Sequence, residues 1–296
     1  MLEKQKQIVG NGSTAIQVNG DYYGQPSYSD IKKIFEDLLQ SNFPKLQDIA
    51  NSEVDKRIKE LFIQLREVIS DRKNNIDPTK LYDPDIQYQM CALVVNVARK
   101  GKKSNIEYLT ELFCTILSKD CPDILESVAG ETLHILPKIQ TKHISYLSFD
   151  VLVKEVKFPN HSICDIDKTL YEINEHISEC EKITQSDIRY LSLVGFINIT
   201  STGLHCPPSF IGKLDLLENL KYPVRDQRYQ KFNVAFERLE QICIDNEFNN
   251  LVTFMQRMKV PGSSCSGNHQ LTMAGSLIGW MNIKKYFNVD VKKIFE

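Results

Sequence analysis

Apolar residues recur every three or four positions through most of the chain, the period of a helix face turned toward a core. The pattern predicts a first helix after Ser29 and Asp30, which offer N-cap oxygens, with Ile31, Ile34, Phe35, Leu38 and Leu39 on its face. Phe43-Pro44 is expected to break that helix, because proline removes a helical N–H and suits the first turn of a new one. The next helix runs to about Arg72, with Leu46, Ala50, Val54, Ile58, Leu61, Leu65 and Val68 in a long, narrow stripe. Such a stripe fits an amphipathic helix packed on its own domain, or the seam of a helical hairpin. Between Asp83 and about Val156 four more amphipathic stretches follow: 84–100 with Gly101 as C-cap, 104–119, 122 to just before Pro137, and 141–156. Their short connections predict antiparallel neighbours, but no strict repeat unites them.

A turn at Pro159-Asn160-His161-Ser162 is the expected domain boundary. Beyond it the pattern predicts a helix over 167–181 and a second one capped by Thr184 to Asp187 and ending at Gly195. A β-rich piece, Phe196 to Thr200, comes next. Helices are then expected over 209–221, around Phe232, Ala235, Phe236, Leu239, Ile242 and Cys243, and over 247–259 before Pro261. Thr272 offers the N-cap of a final helix.

The segment from Ile8 to Gly24 follows a different rule. It is rich in Gly, Asn, Ser and Thr, with one alternating stretch, Thr14-Ala15-Ile16-Gln17-Val18. A lone strand must borrow an edge to satisfy its backbone. Two readings stay open: a strand that pairs with a partner, another copy included, through Ile16, Gln17 and Val18, or a disordered tail. The domain organisation expected is therefore an arm over 1–27, a helical bundle or stack over 28–158, and a mainly helical domain over 163–296.

Composition narrows the function classes. The 296 residues are 42% hydrophobic and 25% charged, which is ordinary for a globular protein, and the net charge of −2 argues against a chain built as a polyanion binder. The 8 cysteines are scattered without a CxxC pair and no signal peptide is evident, so they are expected to be reduced thiols of a cytoplasmic protein. No apolar run approaches the roughly 18–20 residues that span a bilayer, so no membrane partner is expected.

The chemistry is sparse. The phosphate-loop, dinucleotide, HExxH and GxSxG motifs are absent, so neither catalytic residue nor cofactor is expected. Cys265 with His269, joined by His205-Cys206, is too thin a set to predict a metal, and none is expected. Asp165 with Asp167, and Glu172 with Glu175, read as solvated helix surface. Arg99, Lys100, Lys102 and Lys103 suit the carbonyl end of a helix around Gly101. Arg225 and Arg228, beside Tyr229, fall near the start of a predicted helix. Cations there need a compensating anion, which is either an internal carboxylate (Asp215, Glu218 or Asp226) or a bound phosphate or nucleic-acid backbone.

Two resemblances add to this reading. The GNGSTAIQVNGD arm, the helical body and the ending Leu271-Thr272-Met273-Ala274-Gly275-Ser276-Leu277-Ile278 resemble a set of uncharacterised bacterial proteins named by locus tags. The ending is also similar to that of abortive-infection proteins of the Abi-alpha type, and the arm looks like short amyloid-signalling motifs of microbial immune proteins. These likenesses imply a role in phage defence and carry over no catalytic residue. Separately, Ile188, Leu191, Val194, Gly195, Phe196 and Ile197, with the later Leu271-Thr272-x-x-Gly275, are similar to the helix, strand and return strand of winged-helix domains. Here residues 201–270 stand where a wing would be short. The fold class expected is mainly α: an antiparallel helical bundle or stack with a small winged-helix-like α+β C-terminal portion and a Gly/Asn-rich arm. The function expected is a non-enzymatic interaction or scaffold protein that forms homo-oligomers through its arm and meets a protein partner. The alternative is a nucleic-acid-binding regulator that uses the winged-helix-like part.

Overall fold

The structure is a computed structural model that describes residues 28–72, 75–156, 163–199, 240–241, 243–259, 269–287 and 289–295, with side chains from residue 47 onward. Most of these residues are helical. The elements are α1 (Tyr28–Asp71), α2 (Pro84–Lys100), α3 (Ile106–Ile116), α4 (Asp123–Ile135), α5 (Thr141–Lys154), α6 (Ile163–Ile177), α7 (Gln185–Leu193), β1 (Ile197–Ile199), α8 (Asn249–Lys259), β2 (His269–Leu271) and α9 (Met273–Ile283), with short 3-10 turns between several of them. The chain divides into two compact units, Met1–Ser52 and Glu53–Glu296. The turn expected at Pro159-Ser162 lies outside the described residues, as does the arm.

The predicted break at Pro44 is corrected: α1 is one helix of 44 residues and its backbone stays helical through that proline. Proline removes one N–H and leaves one carbonyl unpaired, a cost that a helix with many turns on either side outlasts. In the second unit, α1 turns Leu61 and Leu65 into the core while Glu53, Lys59 and Glu60 face water. Arg57 ties it to α2, donating to the free carbonyls of Ala98 (2.9 Å) and Arg99 (3.0 Å). Gly101 follows at φ +55, and a Cβ there would meet Arg57 Nε at 2.9 Å, so both backbone and space call for glycine.

The core centres on α5, whose residues from His143 to Val153 are all buried. It packs closely on α9. A Cβ on Gly279 would meet Val151 Cγ2 at 2.5 Å and the Leu147 carbonyl oxygen at 2.7 Å, so the crossing depends on a residue without a side chain. Around this pair stand Leu109, Leu112 and Phe113 of α3, Leu125, Ala129 and Leu133 of α4, and Ile166 and Ile173 of α6. Then α8 lies on α6, with Asp167 accepting from Leu251 N–H (2.8 Å) and from the Asn250 amide (2.9 Å). Asp167 is therefore the cap of a neighbouring helix rather than solvated surface.

The strand and its return strand pair antiparallel, Ile197 with Leu271, Asn198 with Gln270 and Ile199 with His269. Thr272 caps α9, accepting from Gly275 N–H (3.2 Å), while its own hydroxyl donates to the Gly195 carbonyl (2.7 Å). A Cβ on Gly275 would sit 2.1 Å from the Phe196 carbonyl oxygen, so glycine lets the start of α9 lie against the backbone ahead of β1.

Candidate functional site

Because α5 is buried on every side, its polar residues must find partners inside the protein. Tyr146, Asp150 and Lys154 follow one another at i, i+4 and i+8 and so lie along one line of the helix. The strand β2 brings His269 against that line. The Tyr146 hydroxyl lies 2.9 Å from His269 Nε2, which is 3.5 Å from Asp150 Oδ2. Lys154 Nζ donates to Asp150 Oδ2 (2.8 Å) and to the His269 carbonyl (3.0 Å), closing the cluster over backbone and side chain together. Burial pushes the Asp150 carboxyl up, yet the His269 hydrogen bond and the Lys154 ammonium outweigh it and hold its pKa below the ordinary value. Asp150 Oδ1 and His269 Nδ1 have no hydrogen-bond partner. With the Asp150 side chain 0% and that of His269 1% exposed, the cluster anchors β2 to α5 and offers no approach to a substrate.

A second buried knot joins four helices. Asn282 of α9 accepts from Tyr108 (2.7 Å) and from His176 Nδ1 (2.8 Å), and its amide donates to Ser148 Oγ (2.8 Å) and to the His176 carbonyl (3.2 Å). All of the Asn282 side chain's principal hydrogen-bonding capacity is thereby used. Burial pushes the Tyr108 phenol up to about 12, with Glu107 and Glu111 adding to it, so it stays a donor. Glu155 accepts from Ser276 (2.7 Å) and from the Trp280 indole (2.6 Å), a third tie between α5 and α9.

At the start of α7, Thr184 and Asp187 form a reciprocal capping box. Lys142 and His143 also reach Asp187 Oδ1, at 2.8 and 3.0 Å. Burial raises the Asp187 carboxyl, but these donors and those of Thr184 hold it far below the usual carboxylate range. Gln140 N–H donates to His143 Nδ1 (3.0 Å), so His143 carries its proton on Nε2.

Outside the core the exposed groups are of another kind. On α1, Phe62 is 49% and Ile63 58% exposed in the second unit, and Ile49 is 67% exposed in the first. The end of α7, the strand β1 and the start of α9 expose Leu193, Ile199 and Met273. A cavity of about 310 Å³ lies between Gln64 and Glu67 of α1 and Glu107 and Thr110 of α3. Glu111, which borders it, is paired with Arg72 and Lys284.

Ile16, Gln17, Val18, Arg225, Arg228 and Tyr229 lie outside the described residues, as do His205, Cys206 and Cys265. His269, read with that cysteine as a thin metal set, instead belongs to the α5 anchor. Among the described residues no group of His, Cys, Asp or Glu is arranged to hold a metal ion. Burial pushes the Cys114 thiol up to about 11 and that of Cys180 up to about 12, while Cys91 and Cys164 are exposed. Among the described residues no helix is long and apolar enough to cross a membrane. A family model matches residues 26–215, and the family's description is a locus tag ending in "-like". No curated protein matches the chain, and no solved structure does.

Proposed function

The chain belongs to this uncharacterised family, which brings no activity with it, and we infer from the chain's own surface that it is a non-enzymatic interaction or scaffold protein that associates with copies of itself. The observation that carries the reading is the outer face of α1, where Phe62 and Ile63 stand in water while Leu61 and Leu65 fill the core. Adjacent exposed apolar side chains on a helix whose other face is already satisfied call for a second surface. The Gly/Asn-rich arm, through Ile16, Gln17 and Val18, supplies a further edge for the same assembly. Light scattering tests both parts. The intact protein should exceed its monomer mass of 34.1 kDa, and Phe62→Glu with Ile63→Glu, or removal of residues 1–25, should bring it down. A monomer at all concentrations, or an assembly indifferent to both changes, overturns the reading. A role in phage defence goes with it on the likeness of Leu271 to Ile278 to Abi-alpha proteins, and plaque counts on a bacterial host with and without the protein check that role.

The antiparallel pairing of β1 with β2 between α7 and α9 favours a second reading, a nucleic-acid-binding regulator built on a winged-helix-like portion. It assigns phosphate contacts to Arg225 and Arg228. Loss of duplex binding in the Arg225→Ala, Arg228→Ala variant supports it, and no binding by the intact protein in low salt removes it.

A further inference from the structure

Two 3-10 turns far apart in sequence, Gly101–Ser104 and Leu136–Lys138, pack against each other. Asn105, at φ +61 in the left-handed region, clips them together, its amide donating to the carbonyls of Leu136 (3.3 Å) and Ile139 (3.1 Å). The Lys100 ammonium donates to the Pro137 carbonyl (2.6 Å), and the Tyr190 hydroxyl of α7 to that of Lys138 (2.9 Å). These ties bring together the segments that carry Arg99, Lys102, Lys103, Lys138 and Arg189, all of them exposed.

Glu53 is already engaged by Arg57, and Asp187 by Lys142 and His143. Among the described residues no carboxylate pairs with Arg99, Lys102, Lys103, Lys138 or Arg189. Helix-end carbonyls account for Arg57 and Lys100, which are inserted into the turns, but not for Arg99, Lys102, Lys103, Lys138 and Arg189. In a chain of net charge −2, like charges brought together without counter-ions repel unless an anion covers them. Beside them Tyr190 is 37% exposed, and its ring is fixed by its own hydrogen bond and by the His143 ring 5.9 Å away.

We propose that this surface binds the backbone of a single-stranded nucleic acid, with the lysines and arginines on phosphates and Tyr190 as a stacking platform for a base. Cations that track a backbone around a rigid aromatic ring are the means by which single strands are held without sequence readout. The proposal uses none of Arg225, Arg228, Phe62 and Ile63, so its failure leaves those readings standing.

The test uses the full chain and a fluorescent oligo-dT of 20 nucleotides in low salt, followed by anisotropy. Binding is expected to weaken with salt on a log–log slope of roughly −3, the sum of four or five single-strand contacts at about −0.7 each. Lys102→Gln with Lys103→Gln and Lys138→Gln changes exposed side chains only and should weaken binding at least tenfold. Tyr190→Phe, which removes the hydroxyl and keeps the ring, should bind nearly as the parent does, and Tyr190→Leu should lose about tenfold. Arg225→Ala with Arg228→Ala should leave this binding in place. No binding by the parent, indifference to the triple Gln variant, equal loss in Tyr190→Phe and Tyr190→Leu, or capture by phosphatidylserine vesicles without capture of the oligonucleotide would each overturn the proposal.

Discussion

At the scale of single residues, the molecule is held by polar groups that have nowhere else to go. Asp150 is the sharpest case, because removing a partner from a buried pair leaves the other charge stranded. Asp150→Asn should cost about 3–5 kcal/mol in urea unfolding, with the slope of the transition unchanged. The pH dependence has a definite sign. The folded-state pKa values of Asp150 and Asp187 are lowered, so the stability they contribute is fully present above the unfolded carboxylate value of about 3.9. It is lost as pH falls through the folded values. The melting temperature should therefore hold steady from pH 7 to about 5 and fall below pH 4, and Asp150→Asn should flatten part of that fall. Gly279 makes the opposite kind of prediction. Gly279→Ala adds a single methyl against the Leu147 carbonyl and should destabilise by about 1–3 kcal/mol, because backbone cannot move aside as a side-chain tip does.

At the scale of elements, legibility followed the physical origin of each signal. Local signals were readable: Thr184 and Thr272 cap helices as their hydroxyl chemistry predicts, and Gly101 ends α2. Thr272→Ala should cost about 1 kcal/mol or somewhat more, since the same hydroxyl also holds the Gly195 carbonyl, and a thermal melt would measure it. The Pro44 break failed because a proline sets a local cost but not the length over which a helix can absorb it. The anchor was hidden for a different reason. Tyr146, Asp150 and Lys154 share a line of α5, but only β2, folded back on it, makes His269 their partner. Nothing in their spacing distinguishes that line from a wet helix face. In the same way Arg99 to Lys103 could be read as a helix end, whereas Lys138 joins them through the turns clipped by Asn105 and Arg189 through the bond from Tyr190 to the Lys138 carbonyl.

At the scale of the whole molecule, the mainly helical class could be read from periodicity, while the centrality of α5 could not, because a helix buried on all sides has no stripe to betray it. The pairing of β1 with β2 has a consequence for how this architecture varies among relatives. Ile199 and His269 are register partners, so the two ends of the 200–268 excursion, which carries α8 on its way, meet at one doorway. The entropy of closing such an excursion grows only with the logarithm of its length. Relatives should thus lengthen or shorten on either side of α8 within that connection far more freely than anywhere along the crossing at Gly279, where one added carbon has no room.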